Sequence, residues 1–197
     1  MGLLLKPQIS EKEAGGIFLG RLLRDLRAAW PRIFETIRPS FPDGVALVDN
    51  EQAAVAELFL AVVAIHLESL EEVFDAERAG RLRSHIREVL FSPPFRKTDD
   101  VQAKKYQEKN LQDYQRACEE GRAAGHLPDD AVASLLHERL GSTYRGRETP
   151  SPPEAEGAQA LAPILAAFGV SWWRYLGHKY RIAEPRRPGR WRLPWRG

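Results

Sequence analysis

Asp49–Phe74 reads DNEQAAVAELFLAVVAIHLESLEEVF and is the most apolar stretch of the 197-residue chain. Asp49 can cap a helix here, Gln52 completes a capping-box-like pair, and Glu51 adds charge where the helix dipole favours it. No Gly or Pro interrupts Ala53–Phe74, so the backbone ladder can run unbroken. Wound as a helix, Val55, Leu58, Phe59, Leu60, Val62, Val63, Ile65, Leu67, Leu70, Val73 and Phe74 cover an arc of roughly 220°. Glu57, Glu68, Glu71 and Glu72 take the remainder. An arc that wide needs two or three neighbouring helices, so the segment is expected to be the hub of a bundle. His66 lies near the middle of the arc with Ser69 one turn below it.

The rest of the chain supplies the neighbours. Ser10-Glu11-Lys12-Glu13 is a capping box. It opens a helix whose apolar positions, Ile17 through Ile37, recur at three and four residues, and Pro31 is expected to kink or split it. Asp75 caps a helix over Ala76–Leu90 that Pro93-Pro94 stops. A long helix runs from Thr98-Asp99-Asp100 to about Ala124. Its narrow stripe of Val101, Ala103, Tyr106, Leu111, Tyr114, Ala117 and Cys118 suits the outside of a bundle or a partner beyond the monomer. Another helix follows Pro128-Asp129-Asp130, with Val132, Leu135, Leu136 and Leu140 inward. Gly141–Gly157 is loop-like in composition and is expected to be flexible. Ala158–Phe168 and Trp172–Arg181 are short helices separated by Gly169. Alternation at period two does not persist, so no strand is expected.

The passage Glu119–Leu136 resembles the helix–Gly–Pro/Asp–helix joint of tetracycline-repressor-type effector domains. The joint is generic, and no family assignment follows from it.

The fold expected is an all-α, single-domain helical bundle of five to seven helices around a central buried helix at about 50–74. The domain covers 1–183, and an irregular basic tail covers 184–197. Hydrophobic residues make up 43% of the chain and charged residues 28%, a globular balance. Formal net charge is +2, but residues 170–197 carry eight Lys/Arg against one Glu, while residues 1–169 carry twenty-one against twenty-six acids. A mildly acidic body with a basic end hints at an anionic partner. The single Cys118 rules out an internal disulfide, points to a reducing compartment, and leaves no cysteine-based metal site. Met1–Leu5 is too short for a signal peptide, and Leu58–Ile65 is far short of a membrane span. The cytoplasm is the expected location.

Spacing gives no support to catalysis. No two of His66, His85, His126, His137 and His178 lie four apart, and no Glu precedes a His by three, so neither zinc-protease nor di-iron patterns are present. There is no nucleophile elbow and no phosphate-cradling loop after a strand. No metal, no cofactor and no catalytic residue is assigned. His66 and Ser69 are candidate ligand-binding residues if the helices enclose an apolar pocket; otherwise His66 is a core imidazole bonded to a carbonyl or to Tyr106 or Tyr114. The second feature is the aromatic, basic C-terminus, which holds four of the five Trp. Trp172, Trp173, Arg174, Arg186, Arg187, Arg190, Trp191, Arg192, Trp195 and Arg196 suit an anionic lipid surface, single-stranded nucleic acid, or an acidic groove on the chain's own body.

The function expected is a non-catalytic helical interaction module, self-associating through the polar-helix stripe, whose tail docks on an anionic surface of its own body, a partner protein, lipid or nucleic acid. One alternative is a small-molecule-binding or enzymatic bundle with His66 in its pocket. The other is a nucleic-acid-binding protein that uses the Arg/Trp segment.

Overall fold

In the computed structural model the chain is described over residues 6–41, 51–93, 95, 101–144, 154–168 and 171–183. It is an all-α bundle with one small β-clip. Strand β1 (Gln8–Ser10) leads into α1 (Glu11–Ile37), α2 (Glu51–Glu68), α3 (Ala76–Leu90), α4 (Val101–Ala123), α5 (Pro128–Tyr144), α6 (Glu154–Ala167), α7 (Ser171–Lys179) and strand β2 (Arg181–Ala183). The Asp49 cap and residues 184–197 lie outside the described residues.

α2 is the hub. Ala54, Val55 and every residue from Glu57 to Leu67 are buried. The helix packs on α1, α4 and α5. Burial extends right round the helix because Glu57, expected on its wet edge, also points inward. Glu51–Glu72 is long and apolar enough to cross a bilayer, yet 83% of its most apolar window is buried within the bundle. α2 ends at Glu68 rather than Phe74, and Leu70–Glu72 form a 3₁₀ turn. Its last carbonyls find other donors: the Ser69 hydroxyl reaches His66 O at 3.2 Å, and Arg83 reaches Leu67 O at 3.2 Å. Such partners let the chain leave the helix without orphaned carbonyls.

α1 begins at the expected capping box, with Ser10 and Glu13 bonded reciprocally. It runs through Pro31 without a break. Pro31 lies on the exposed face, so the carbonyl that loses its N–H partner can be hydrated instead. α3 starts at Asp75, which caps Arg78 N–H, and buries Ala79, Leu82, Ile86 and Leu90. It runs parallel to α1: Arg81 meets Glu11, and Ile86 faces Gly15. α4 runs parallel to α2, as Glu57–Tyr114 and Glu68–Arg122 show, and antiparallel to α5, as Asp113–Arg139 and Gly121–Ala131 show. α4 lies on the outside of the bundle, with a narrow buried stripe and a mostly exposed outer face. Leu111, Tyr114 and Cys118 of its stripe are buried against the chain's own core, so this part of the stripe is not free for a second copy.

The stretch expected as a loop at 141–157 is helical at both ends, and residues 145–153 lie outside the described residues. Residues 141–144 complete α5, and α6 starts at Glu154. Gly157 is therefore helical, and it is buried where α6 crosses His137. Gly157 marks a close helix crossing. Gly125 does mark a true stop, with φ of +81° just after α4, the left-handed conformation that favours glycine.

Two strands, absent from the sequence expectation, close the fold. Gln8, Ile9 and Ser10 pair in parallel with Arg181, Ile182 and Ala183. Three residues are too few for an alternation to register. The clip is tied to α3 by Arg78, which donates to Ile182 O at 2.7 Å. Arg81 meanwhile holds the buried Glu11 carboxylate at 3.1 Å.

A Cβ at Gly157 would collide with the His137 imidazole, whereas one at Gly80 on α3 meets nothing within 4 Å. Gly157→Ala should therefore cost about 1–3 kcal/mol by overpacking, and Gly80→Ala should gain up to about 1 kcal/mol of helix propensity. Urea melts of the two variants followed by circular dichroism test the pair; shifts of the same sign would contradict the α5–α6 crossing.

Candidate functional site

His66 is fully buried. Its ring packs edge-on against Phe18, with centroids 4.9 Å apart, and its Nε2–H donates to the Phe168 carbonyl at 2.6 Å. Burial pushes its pKa down to about 4, and the carbonyl bond only partly offsets this. The imidazole is neutral at ordinary pH. Ser69 is buried too, but its hydroxyl turns to the His66 backbone, not the ring. The clefts described below are not lined by His66. Of the sequence options for this residue, the carbonyl-bonded core histidine matches this geometry. Tyr106 is exposed on α4, and Tyr114 bonds elsewhere.

The aromatic C-terminal residues separate. Trp173 is fully buried between Phe18 and Phe74, at centroid distances of 4.8 and 6.1 Å. Trp172 is half-buried, with the Arg21 guanidinium 4.9 Å from its ring. Arg21 also donates to the Tyr175 hydroxyl at 3.1 Å. Arg174 is exposed. Trp172 and Trp173 thus close the His66 end of the bundle, and Trp173 has no surface to offer a partner. Arg186, Arg187, Arg190, Trp191, Arg192, Trp195 and Arg196 lie outside the described residues.

Sequence reasoning missed a buried polar seam between α2, α4 and α5. Glu57 accepts from Asn110 Nδ2 at 2.6 Å and from the Tyr114 hydroxyl at 3.0 Å. Arg139 lies 3.8 Å from the Glu57 carboxylate, donates to Asp113 at 2.6 Å, and stacks 4.8 Å over the Tyr114 ring. Desolvation, then the Glu57 charge, hold the Tyr114 phenol well above its usual pKa, so it remains a donor. Next to Tyr114 on α4, Gln115 donates to Glu68 at 2.8 Å and accepts from Arg87. The available signal was the pairing of Asn110 with Tyr114, four residues apart on a helix with few other inward residues. Glu57 is thus held by two structural donors from α4, with Arg139 of α5 close by.

Glu57 also forms part of the wall of a cleft of about 670 Å³ at the far end of the bundle from His66. α1 contributes Leu23 and Arg27; α2 contributes Glu51, Gln52, Ala53 and Val55 along with Ala56, Phe59 and Leu60. Leu90, Phe91 and Phe95 come from the end of α3 and the turn after it, and Tyr106 and Gln107 come from α4. The Phe59 and Phe95 rings stack with an interplanar angle of 9°. Arg27, Glu51 and Tyr106 are exposed at the rim, Tyr106 by 58%. The cleft therefore has an apolar floor, a mixed-charge rim and one buried carboxylate. Shallower depressions lie between α3 and α4 and between α4 and α5, with walls that are mostly charged or small. Among the described residues, no three metal-binding side chains converge.

Comparison with known proteins gives no match to a protein family, to a curated protein or to a solved structure.

His66 carries a pH signature. Its folded pKa of about 4 lies below the unfolded value of 6.5, so the unfolded chain binds the extra proton first. Stability from this group is complete above pH 6.5 and is lost as pH falls from 6.5 to 4, by roughly 3 kcal/mol. Denaturant titrations at pH 7, 5.5 and 4 should show His66→Leu losing less stability over that window than the wild type; parallel losses would contradict it. Cys118 is buried, and desolvation aided by Glu68 pushes its pKa up to about 12. Its labelling by an alkylating reagent at pH 8 should be slow in buffer and become fast only in denaturant, as mass spectrometry can follow.

Proposed function

We propose that the protein is a non-catalytic docking module whose cleft between α1, α2, α3 and α4 receives an apolar, aromatic-bearing segment of a protein partner. The observation that carries this reading is the composition of the cleft. The buried Val55, Phe59, Leu60 and Leu90 with the half-buried Leu23, Phe91 and Phe95 make the floor, and exposed groups of both charges rim it. Grooves of this kind take a segment's apolar anchors while the rim orients its polar flanks. The buried seam supports the reading: Glu57, Asn110, Tyr114 and Arg139 lock α4 to α2 and α5, so two walls of the cleft are set before anything binds. Preorganised walls reduce the ordering cost of association.

A small molecule is the second reading. It is favoured by one observation, a volume of about 670 Å³, inside the usual range for ligand pockets. It differs from the sequence expectation in placing the ligand at the Glu57 end of α2 and not beside His66 and Ser69. The protein-segment reading leads because the cleft opens at a rim carrying exposed Arg27, Glu51 and Tyr106.

A displayed peptide library selected on the full chain separates the readings. Enriched peptides should carry spaced aromatic or aliphatic anchors and bind Tyr106→Ala or Leu23→Glu at least tenfold more weakly, as read by fluorescence anisotropy. Enriched peptides indifferent to both substitutions, or none above background, would overturn the docking reading. Binding of an apolar dye blocked by Leu23→Glu, without any peptide, would favour the small molecule.

A further inference from the structure

We infer that the outer face formed by α1 and α7 binds the phosphate backbone of duplex DNA without reading its bases. This face shares only Arg27 with the cleft, at the edge of both, and the inference does not rest on the docking reading.

Charge is the first observation. On α1, Arg24, Arg27 and Arg32 are exposed and Arg21 is half-buried. Stepped at about 100° per residue, the four lie within an arc of roughly 140°. α7 adds the exposed Arg174, Tyr175, His178 and Lys179 and turns Trp173 and Leu176 into the core. Arg21 joins the two helices: its guanidinium lies 4.9 Å from the Trp172 ring and 5.1 Å from the Tyr175 ring, and it donates to the Tyr175 hydroxyl. Cations anchored in this way need little further ordering to meet an anion.

Acids on this face are few. Asp25 lies 3.6 Å from Arg21 and 3.5 Å from Arg24, in pairs open to water, where they contribute little. Glu35 is exposed beyond Arg32. Glu13, in the first turn of α1, is bonded to Ser10. Asp75 and Glu77, at the start of α3 near the clip, cap the Arg78 N–H and pair with Arg81. α7 holds no acid. α6 also packs on α1; its acids are Glu154 and Glu156 in the first turn, and Gly157–Ala167 carries no charge. The opposite sign collects on other helices: residues 113–138, in α4 and α5, hold six acids against two Arg. A molecule divided in this way meets a polyanion with its basic face first.

The kind of anion follows from what the face lacks. Among the described residues, Tyr175 is the one large apolar side chain exposed here, so a bilayer would receive no apolar anchor of the kind that interfacial helices insert. The Tyr175 ring already has Arg21 at 5.1 Å and Lys179 at 6.0 Å, which leaves no free plate for an unpaired base. What remains is a row of fixed cations. From Arg21 to Arg32 the helix rises about 16 Å, the length of roughly five phosphates along one strand of a duplex.

Fluorescence anisotropy of the full chain with a labelled duplex of about 20 base pairs and arbitrary sequence tests the inference. Affinity should fall steeply with salt. The double substitution Arg24→Gln, Arg174→Gln should weaken binding at least tenfold at about 0.1 M salt and reduce the slope of log K against log salt by about 2. Arg24→Lys with Arg174→Lys keeps the charge and should restore most of the binding. Lys105→Gln with Lys109→Gln, exposed on α4, removes the same charge elsewhere and should change affinity less than twofold. Peptide capture by the cleft should ignore the Arg24, Arg174 pair, which keeps the two readings separable. No duplex binding, equal losses from the two Gln pairs, or tighter binding to a single strand of the same length or to phosphatidylserine vesicles would each overturn the inference. So would binding that survives Arg24→Gln, Arg174→Gln but is lost when Arg186, Arg187, Arg190, Arg192 and Arg196 become Gln. Salt-sensitive dimers that the Arg24, Arg174 pair dissolves, without any DNA binding, would assign the face to a second copy and overturn it too.

Discussion

The bond pattern around Glu57 is the constraint on which the rest of this fold depends. A buried carboxylate is tolerated only when donors surround it, and here all of them come from other helices: Asn110 and Tyr114 from α4, with Arg139 from α5 close by. That requirement fixes the rotation of α4 about its own axis. It turns Leu111, Tyr114 and Cys118 onto α2 and leaves the charged remainder of α4 in water. Replacing any one donor with an apolar group would strand a charge, so the seam selects one packing among the several that a broad apolar helix would accept.

Both ends of α2 follow from this arrangement, and they differ in kind. At the His66 end the bundle is sealed by aromatic rings, with Phe18 against Trp172 and Trp173 and Phe74 against Trp173. The β1–β2 clip ties the two ends of the described chain together nearby. At the other end residues of α1, α2, α3 and α4 line the cleft. A closed end that carries the clip and an open end that carries exposed aromatic surface suit a module that holds its shape while presenting one face.

The overall plan was legible because helix patterning is local. The hub, the capping boxes at Ser10 and Asp75, and the inward residues of α3 are set by spacings of three and four and by side chains next to the backbone they cap. Trp173 misled for a physical reason: Arg and Trp interleaved in sequence look alike whether the indole stacks on a partner or fills a core. Gly157 misled likewise, since a glycine demanded by a helix crossing carries the same letter as one in a loop.

The sequence by itself determined that α2 must be a hub, that its neighbours must be helices, and that the C-terminus is basic and aromatic. These are matters of composition and period, which a single segment carries. Only the tertiary structure decided that Glu57 is inside, that His66 is bonded to a carbonyl in the core, and that a cleft with an apolar floor lies toward the opposite end of the same helix. Each depends on which side chain meets which across tens of residues of separation, as Glu57 meets Tyr114 and His66 meets Phe168. That information resides in no window of sequence, because the partners become neighbours only when the helices pack.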